Sequence, residues 1–409
     1  MSELVEAPKD WRGTWAKIVQ GSVLTTVLAI VIALLVGAIL IAAVDPQVQA
    51  TAAYLGYRPG DFFAALWDSV AGAYSALFQG AVFRIDRSST LGEFLSPLAN
   101  TVSMSTPLIF AGLGLGIGFR AGLFNIGAQG QIVIGGTLCG FIGFAFHLPP
   151  CLHLIACVVG AFAGGALWGF IPGILKAKTG ANEVIVTIML NSIAVFFLGW
   201  LLTLDSFRKP GSNNPVSPPV DAGARLPHLF DTPIDIGFLL AIAAAVGVWW
   251  LMERSTLGFR IRAVGANADA ARAAGMNVAT SFVWVMVLAG GLAGLASTTQ
   301  LLSTSDQQLS TNVAGSFGFD AITVALLGRS NPVGTVLAGL LFGGLRAGGY
   351  LMQSSTGTPI DVILVLQSVI VLLIAAPPLV RSIFRLPDPD RRKRAKKPAK
   401  SKVVAQVRA

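Results

Sequence analysis

The run Asn125-Ile126-Gly127-Ala128-Gln129-Gly130-Gln131 lies directly between two apolar stretches, each long enough to enter a membrane. Carboxamides and glycines are costly there, because hydrocarbon offers no water to satisfy side-chain or backbone polar groups. They are tolerated where a helix is broken and borders a polar cavity, as in transporters built from interrupted helices. Such a chain reads as a polytopic membrane protein, and the break points to movement of a polar solute.

Composition agrees. The 409 residues are 54% hydrophobic and only 12% charged, against about a quarter charged in soluble domains. Several apolar runs reach the roughly 20 residues that cross a bilayer. The expected fold class is an all-α polytopic membrane protein of about eight to ten transmembrane helices, with broken half-helices and internal pseudo-symmetry. One transmembrane domain covers 18–380, after a cytoplasmic segment 1–17 and before a basic tail 381–409, read as disordered. The apolar run from Ile18 to Val44 is too long for a signal peptide and reads as the first span. From Arg381 onward there are 11 Lys/Arg and 2 Asp/Glu, which accounts for the entire net charge of +9. With no folded reading module beside it, that tail marks the cytoplasmic side and a contact with anionic membrane lipid, not nucleic acid. His147, Cys151, His153 and Cys157 match no compact zinc spacing, and no metal is expected.

Further spans are expected at 98–119, 124–146, 151–175, 183–204, 235–252, 281–302 and 360–380. Segment 45–96 reads as external, with an amphipathic interfacial helix around Phe62–Phe83. Lys9, Arg12 and Lys17 precede the first span. Arg120, Lys176, Lys178 and the arginines of loop 253–280 then fall on the same side, so both termini are expected in the cytoplasm. The loop 205–234 falls outside. For the tail to lie inside, region 318–352 has to cross as a half-helix plus a full helix. The half-helix ends at Gly328-Arg329-Ser330-Asn331-Pro332, where proline removes a donor and disfavours helix before it.

Three polar groupings lie at membrane depth. Asn125, Gln129 and Gln131 follow a break at Gly122, and their amides are expected to point into a cavity. Glu183, Thr187 and Asn191 share one helix face. Asp320 and Thr323 sit on the half-helix. Each group can instead be an interhelical hydrogen bond worth roughly 1 kcal/mol, whereas buried acids are costlier and more often functional. Arg262 to Gly275 forms a loop in which Asn267 caps a short alanine-rich helix that ends at Gly275. Residue physics leaves open a docking element or a well-capped connector. No Gly-x4-Gly-Lys-Ser/Thr occurs, and no Ser/His/Asp or Cys/His arrangement suggests an enzyme.

Four motifs in order resemble permease subunits of bacterial ATP-binding-cassette importers. They are Phe124 to Gln131, Asn182-Glu183-Val184-Ile185 with Met189-Leu190-Asn191, Arg262 to Gly275, and Gly318 to Pro332. The branch is that of ribose and branched-chain amino acid permeases, nearest its nucleoside and simple-sugar members. The resemblance runs over about 98–380, with Gln129 where the family more often has Glu. It implies a second permease subunit, cytoplasmic ATPases and an external substrate-binding protein, with ATP and Mg held by the ATPases and no cofactor on this chain. The ATPases would dock through Arg262, Gly265, Asn267, Ala270, Ala271 and Gly275. The solute pathway would include Asn125, Gln129, Gln131, Glu183, Asn191, Asp320 and Thr323. Amides both donate and accept, which suits hydroxyl- or base-bearing solutes such as nucleosides. The rival is an ion-coupled secondary transporter with Glu183 or Asp320 as proton site.

Overall fold

The computed structural model describes residues 22–84, 91–228, 234–303 and 307–385. The segment 1–17 and nearly all of the basic tail lie outside those residues. Helix α1 is Ser22–Val44, and Asp45 caps the short α2, Pro46–Ala52. Next come α3 Pro59–Ala81, α4 Leu91–Arg120, α5 Ala128–Ala145, α6 Pro150–Thr179 and α7 Glu183–Leu201. After the loop strand β1, Val216–Pro219, follow α8 Ile236–Arg254, α9 Thr256–Ala266, α10 Ala268–Ala273 and α11 Val278–Leu302. The chain ends in β2 Gln308–Ser310, α12 Phe317–Leu327, α13 Pro332–Thr356, α14 Asp361–Ala375 and α15 Pro377–Ile383. Among the described residues, eight helices are long and apolar enough to cross a membrane: α1, α4 to α8, α11 and α13. The protein is an all-α multi-pass membrane protein.

The centre is built on close backbone approach. A Cβ at Gly165 would collide with Gly290 and Gly294, and one at Gly135 would lie 2.6 Å from Gly294 Cα. Helices α5, α6 and α11 therefore meet on small residues, the device that replaces the hydrophobic effect where the solvent is lipid. Helix α4 lies against α11 and α13, and continues through Pro97 and Pro107, starting seven residues before the expected 98.

Two expectations change. Helix α3 is more than an interfacial element: it buries Ala73, Ala76, Leu77 and Gly80. Gly80 packs on Gly348 and Leu351, and Thr101 donates to the Ala81 carbonyl at 2.6 Å, so its last turns lie among α4 and α13. The span expected at 360–380 breaks at Ala376, because Pro377 and Pro378 cannot continue the hydrogen-bond ladder of α14. Part of loop 205–234 is ordered by pairing, since β1 runs antiparallel to β2 and Leu309 N–H donates to the Ser217 hydroxyl at 2.8 Å.

Region 318–352 follows the expected half-helix design. Helix α12 has 11 residues, about half the bilayer thickness at 1.5 Å per residue. Its turn places Arg329 and Ser330 at φ 53° and 54°, and Ser330 packs beside Gly116, one turn before Arg120. Asn331 then caps α13, its side chain accepting from Val333 N–H at 3.0 Å. The turn thus shares one end of the bundle with Arg120, Glu253 and Arg262, here called the arginine end. The β1–β2 sheet closes the opposite end.

Candidate functional site

The first interruption lies between α4 and α5. Gly122, at φ 72°, turns the chain at the arginine end, and residues 123–127 climb back before α5 begins. Asn125 and Gln131 are each only 1% exposed. Asn125 Nδ2 donates to Gln131 Oε1 at 3.2 Å, while Asn125 Oδ1 accepts from Gly127 N–H at 2.8 Å. Asn191, reaching across from α7, donates to the Ile126 carbonyl at 2.9 Å and accepts from Gly130 N–H at 2.8 Å. Thr187 accepts from Ile126 N–H at 3.3 Å. The amides expected to face a cavity instead turn into the subunit and satisfy the backbone that the break leaves open. Hydrocarbon explains this, since an orphaned peptide group there has no water to turn to.

The second interruption precedes α12. The chain descends from β2 along α5, with Leu309 against Gly140, Val313 against Gly136 and Gly318 against Gln129. Gln129 joins the two interruptions: Nε2 donates to the Gly315 carbonyl at 2.6 Å, and Oε1 accepts from Gly318 N–H at 3.0 Å. The amide meets both demands, whereas an ionised carboxylate at this position could not donate to Gly315. Two residues later, Asp320 binds Arg346 of α13 at 3.2 Å and accepts from the Ser316 hydroxyl at 2.8 Å. Arg346 also donates to Ser316 at 2.8 Å and lies 4.3 Å above the Phe317 ring. Both charged side chains remain about a fifth exposed (20% and 21%), on the surface of this subunit. Thr323 is turned back onto the Asp320 carbonyl.

Sequence reading missed Arg346, the one arginine in the middle of a long span among the described residues, and with it Ser316 and Phe317. The signal was an arginine between Leu345 and Ala347 in an otherwise apolar glycine-rich helix. Glu183 is not brought to Asp320. It pairs with Lys176 at 2.8 Å at the start of α7, next to the Asn182 cap.

The 253–280 loop folds as α9 and α10 at the arginine end. Asn267 caps α10 by accepting from Asp269 and Ala270 N–H at 3.0 and 2.9 Å, and Gly275 ends it at φ 81°. Gly265 packs on the Arg120 carbonyl and Ala121 backbone, leaving no room for a Cβ. Ala271 is buried with Val264 and Val278. Arg262 lies 3.6 Å from Glu253, which Arg120 binds at 2.8 Å. The outward face carries Asn267, Ala270 and Gly275, together with Phe259, 57% exposed and not foreseen from sequence.

Residues 98–375 match the family model described as branched-chain amino acid transport system / permease component. The chain is 37% identical over 323 residues to the guanosine ABC transporter permease protein NupP of Bacillus subtilis, covering 77% of this chain and 88% of NupP. It is 33% identical over 294 residues to the glucose ABC transporter permease protein TsgB13 of Haloferax volcanii, covering 68% and 75%. With the nucleoside ABC transporter permease protein NupB of Lactococcus lactis it shares 32% over 363 residues, covering 86% and 90%. No solved structure matches the chain. The interrupted helices, the capped loop at the arginine end and these matches converge: the chain belongs to the branched-chain amino acid transport system / permease component family, the membrane-spanning permeases of ABC transporters.

Proposed function

We propose that this subunit carries nucleosides or closely related sugars across a bacterial cytoplasmic membrane, driven by ATP hydrolysis on separate subunits that hold the ATP and Mg. The observation that carries this reading is the pairing of two interrupted helices through Gln129, with the Asp320–Arg346 pair beside them and open to the subunit surface. In transporters, interrupted helices border the solute site. The pathway then runs past Gln129, Asp320 and Thr323, while Asn125, Gln131 and Asn191 hold the broken backbone that shapes it. Glu183 with Lys176 forms a charged rim at the arginine end.

The arginine end faces the cytoplasm by the positive-inside rule, and both termini lie there. The outward face of α9 and α10 docks an ATPase, while the sheet end receives an external substrate-binding protein. A second permease completes the pathway. In support, B. subtilis has two guanosine permeases, NupP and NupQ, that both match this chain. Nucleosides fit better than nucleotides because Arg346, the arginine at mid-span, is already neutralised by Asp320. That pairing also weighs against Asp320 as the proton site of a secondary transporter.

The test is reconstitution in vesicles with the ATPase, second permease and binding protein, followed by uptake of labelled guanosine, ribose and GMP. The expected result is ATP-dependent guanosine or sugar uptake and none of GMP. Uptake by the isolated chain on a proton gradient alone would overturn the reading.

A further inference from the structure

A groove of about 300 Å³ runs between α8 and α13, lined only by apolar side chains. Ile242, Val246 and Trp249 form one wall, and Pro332, Val333 and Val336 form the other. Val246, Trp249 and Val333 are 58%, 43% and 64% exposed, so nothing among the described residues covers it. Both walls belong to membrane-spanning helices, and a groove at that depth is filled by whatever apolar chain the bilayer or a partner supplies.

The groove does not end in hydrocarbon. Pro332 also borders a narrow niche floored by Arg120, Met252 and Ser330 at the arginine end. Arg329, immediately before Ser330, is exposed and has no side-chain partner among the described residues. Arg120 and Arg262 share the single carboxylate of Glu253, one helical turn beyond Trp249. Among the described residues, the arginine end therefore carries Arg120, Arg262 and Arg329 against the one carboxylate of Glu253, which pairs with the first two, so positive charge is in excess there. An apolar slot capped by excess positive charge is complementary to one class of molecule: a lipid with a long acyl chain and an anionic phosphate headgroup.

We propose that the α8–α13 groove is a binding site for an anionic phospholipid, with one acyl chain along Trp249 and Val333 and its phosphate held by Arg329 above Arg120. The site is independent of the solute reading, since it involves none of the pathway residues. Bound there, the lipid braces the turn Gly328–Asn331, which joins the half-helix to α13.

The full-length chain, reconstituted in phosphatidylcholine vesicles, is titrated with phosphatidylglycerol or phosphatidylcholine carrying brominated acyl chains, which quench tryptophan at contact. The Trp249 signal is taken as the difference between the wild type and Trp249→Phe. Brominated phosphatidylglycerol is expected to quench it with at least fivefold preference. Arg329→Gln should lower that preference about fivefold, the ~1 kcal/mol that one arginine near a membrane surface contributes. Arg329→Lys should retain it. Equal quenching by the two lipids, or an unchanged preference in Arg329→Gln, would overturn the proposal. Absence of quenching at Trp249 would also overturn it, and would show the groove covered by protein, the second permease being the first candidate.

Discussion

The two interruptions solve the same problem with opposite chemistry. Between α4 and α5 the open backbone is met by neutral amides and a hydroxyl, all inside the subunit. Before α12 the corresponding place carries a carboxylate, a guanidinium and a serine hydroxyl at the subunit surface. Neutral amides can be sealed away because each donates and accepts, so a closed set leaves no residual charge to solvate. A charged pair keeps a solvation demand and is stable at depth when water or a polar surface lies near. The first break is therefore a fixed frame and the second a surface that meets water, solute or a partner. Among the described residues, Gln129 is the side chain that hydrogen-bonds the start of α5 to the second break.

The largest effect is expected at that joint. Gln129→Leu removes both hydrogen bonds and leaves Gly315 C=O and Gly318 N–H without partners, costing roughly 3 kcal/mol at about 1–3 kcal/mol per buried orphan group. Thermal unfolding of the purified protein should show this loss, and uptake should fall below a tenth of wild type. Unchanged stability would mean that the two interruptions are not mechanically joined. Gln129→Glu sharpens the same comparison. An ionised carboxylate would repel the Gly315 carbonyl, so activity should return at acidic pH, where the protonated acid donates in place of Nε2.

Asp320→Asn comes next. It leaves Arg346 without its counter-charge, and a decrease of about 2 kcal/mol is expected, below the range for a fully buried pair because both groups keep partial exposure. Asp320→Leu combined with Arg346→Met should recover most of that stability, since an apolar pair removes the desolvation cost on both sides. Uptake should not recover with it. If the double variant regains transport as well, the pair is merely structural, and the contrast between frame and solute surface fails.

How much of this was legible in the sequence follows from where polarity is informative. The half-helix over Phe319–Leu327 and its stop at Asn331-Pro332 could be read because so short an apolar piece before proline has few alternatives in a membrane; the structure extends it to Phe317. The cap at Asn267 was readable for the same local reason, whereas the caps at Asn182 and Asn331 emerge only from the structure. What the amides bind was not. Asn125 and Asn191 are separated by 66 positions, and only packing of α7 against the break decides that they face inward. Ala271 and Gly265 look like surface loop residues in sequence, yet contacts with Val264 and Arg120 bury one and confine the other. Helix α3 read as interfacial because Asp68 lies in its middle, and the glycines of α13 that admit its end are far along the chain.

The connector α9 supplies the third prediction, because it leans on the first interruption and not the second. Gly265 touches the Arg120–Ala121 backbone, and its carbonyl lies 3.5 Å from the position of a Gly122 Cβ. A force on α9 therefore arrives first at the fixed frame, and reaches the charged surface through Gln129 and through the packing of α4 on α12 and α13. Ala270→Trp, on the outward face, should reduce uptake about tenfold while ATP hydrolysis by the assembled complex continues. Gly265→Val should instead lower the yield of folded protein, since its Cβ meets backbone. The reverse pattern would place the docking surface on the inner side of the loop.

The smallest effect separates a framework that is merely well satisfied from one that depends on every bond. Thr187→Val keeps the shape of the side chain and removes the acceptor for Ile126 N–H. That bond is long at 3.3 Å, and the same hydroxyl also donates to the Glu183 carbonyl at 2.7 Å, a helical carbonyl that has other partners. Side-chain hydrogen bonds between membrane helices average about 0.6 kcal/mol, and a change of that size is expected, with uptake within about twofold of wild type. Asn191→Leu removes two shorter bonds to the same segment and should cost several times more. If the two substitutions proved equally damaging, the amide cluster would have to be acting as one cooperative network, and the first interruption would owe its rigidity to the closed circuit and not to Asn191 alone.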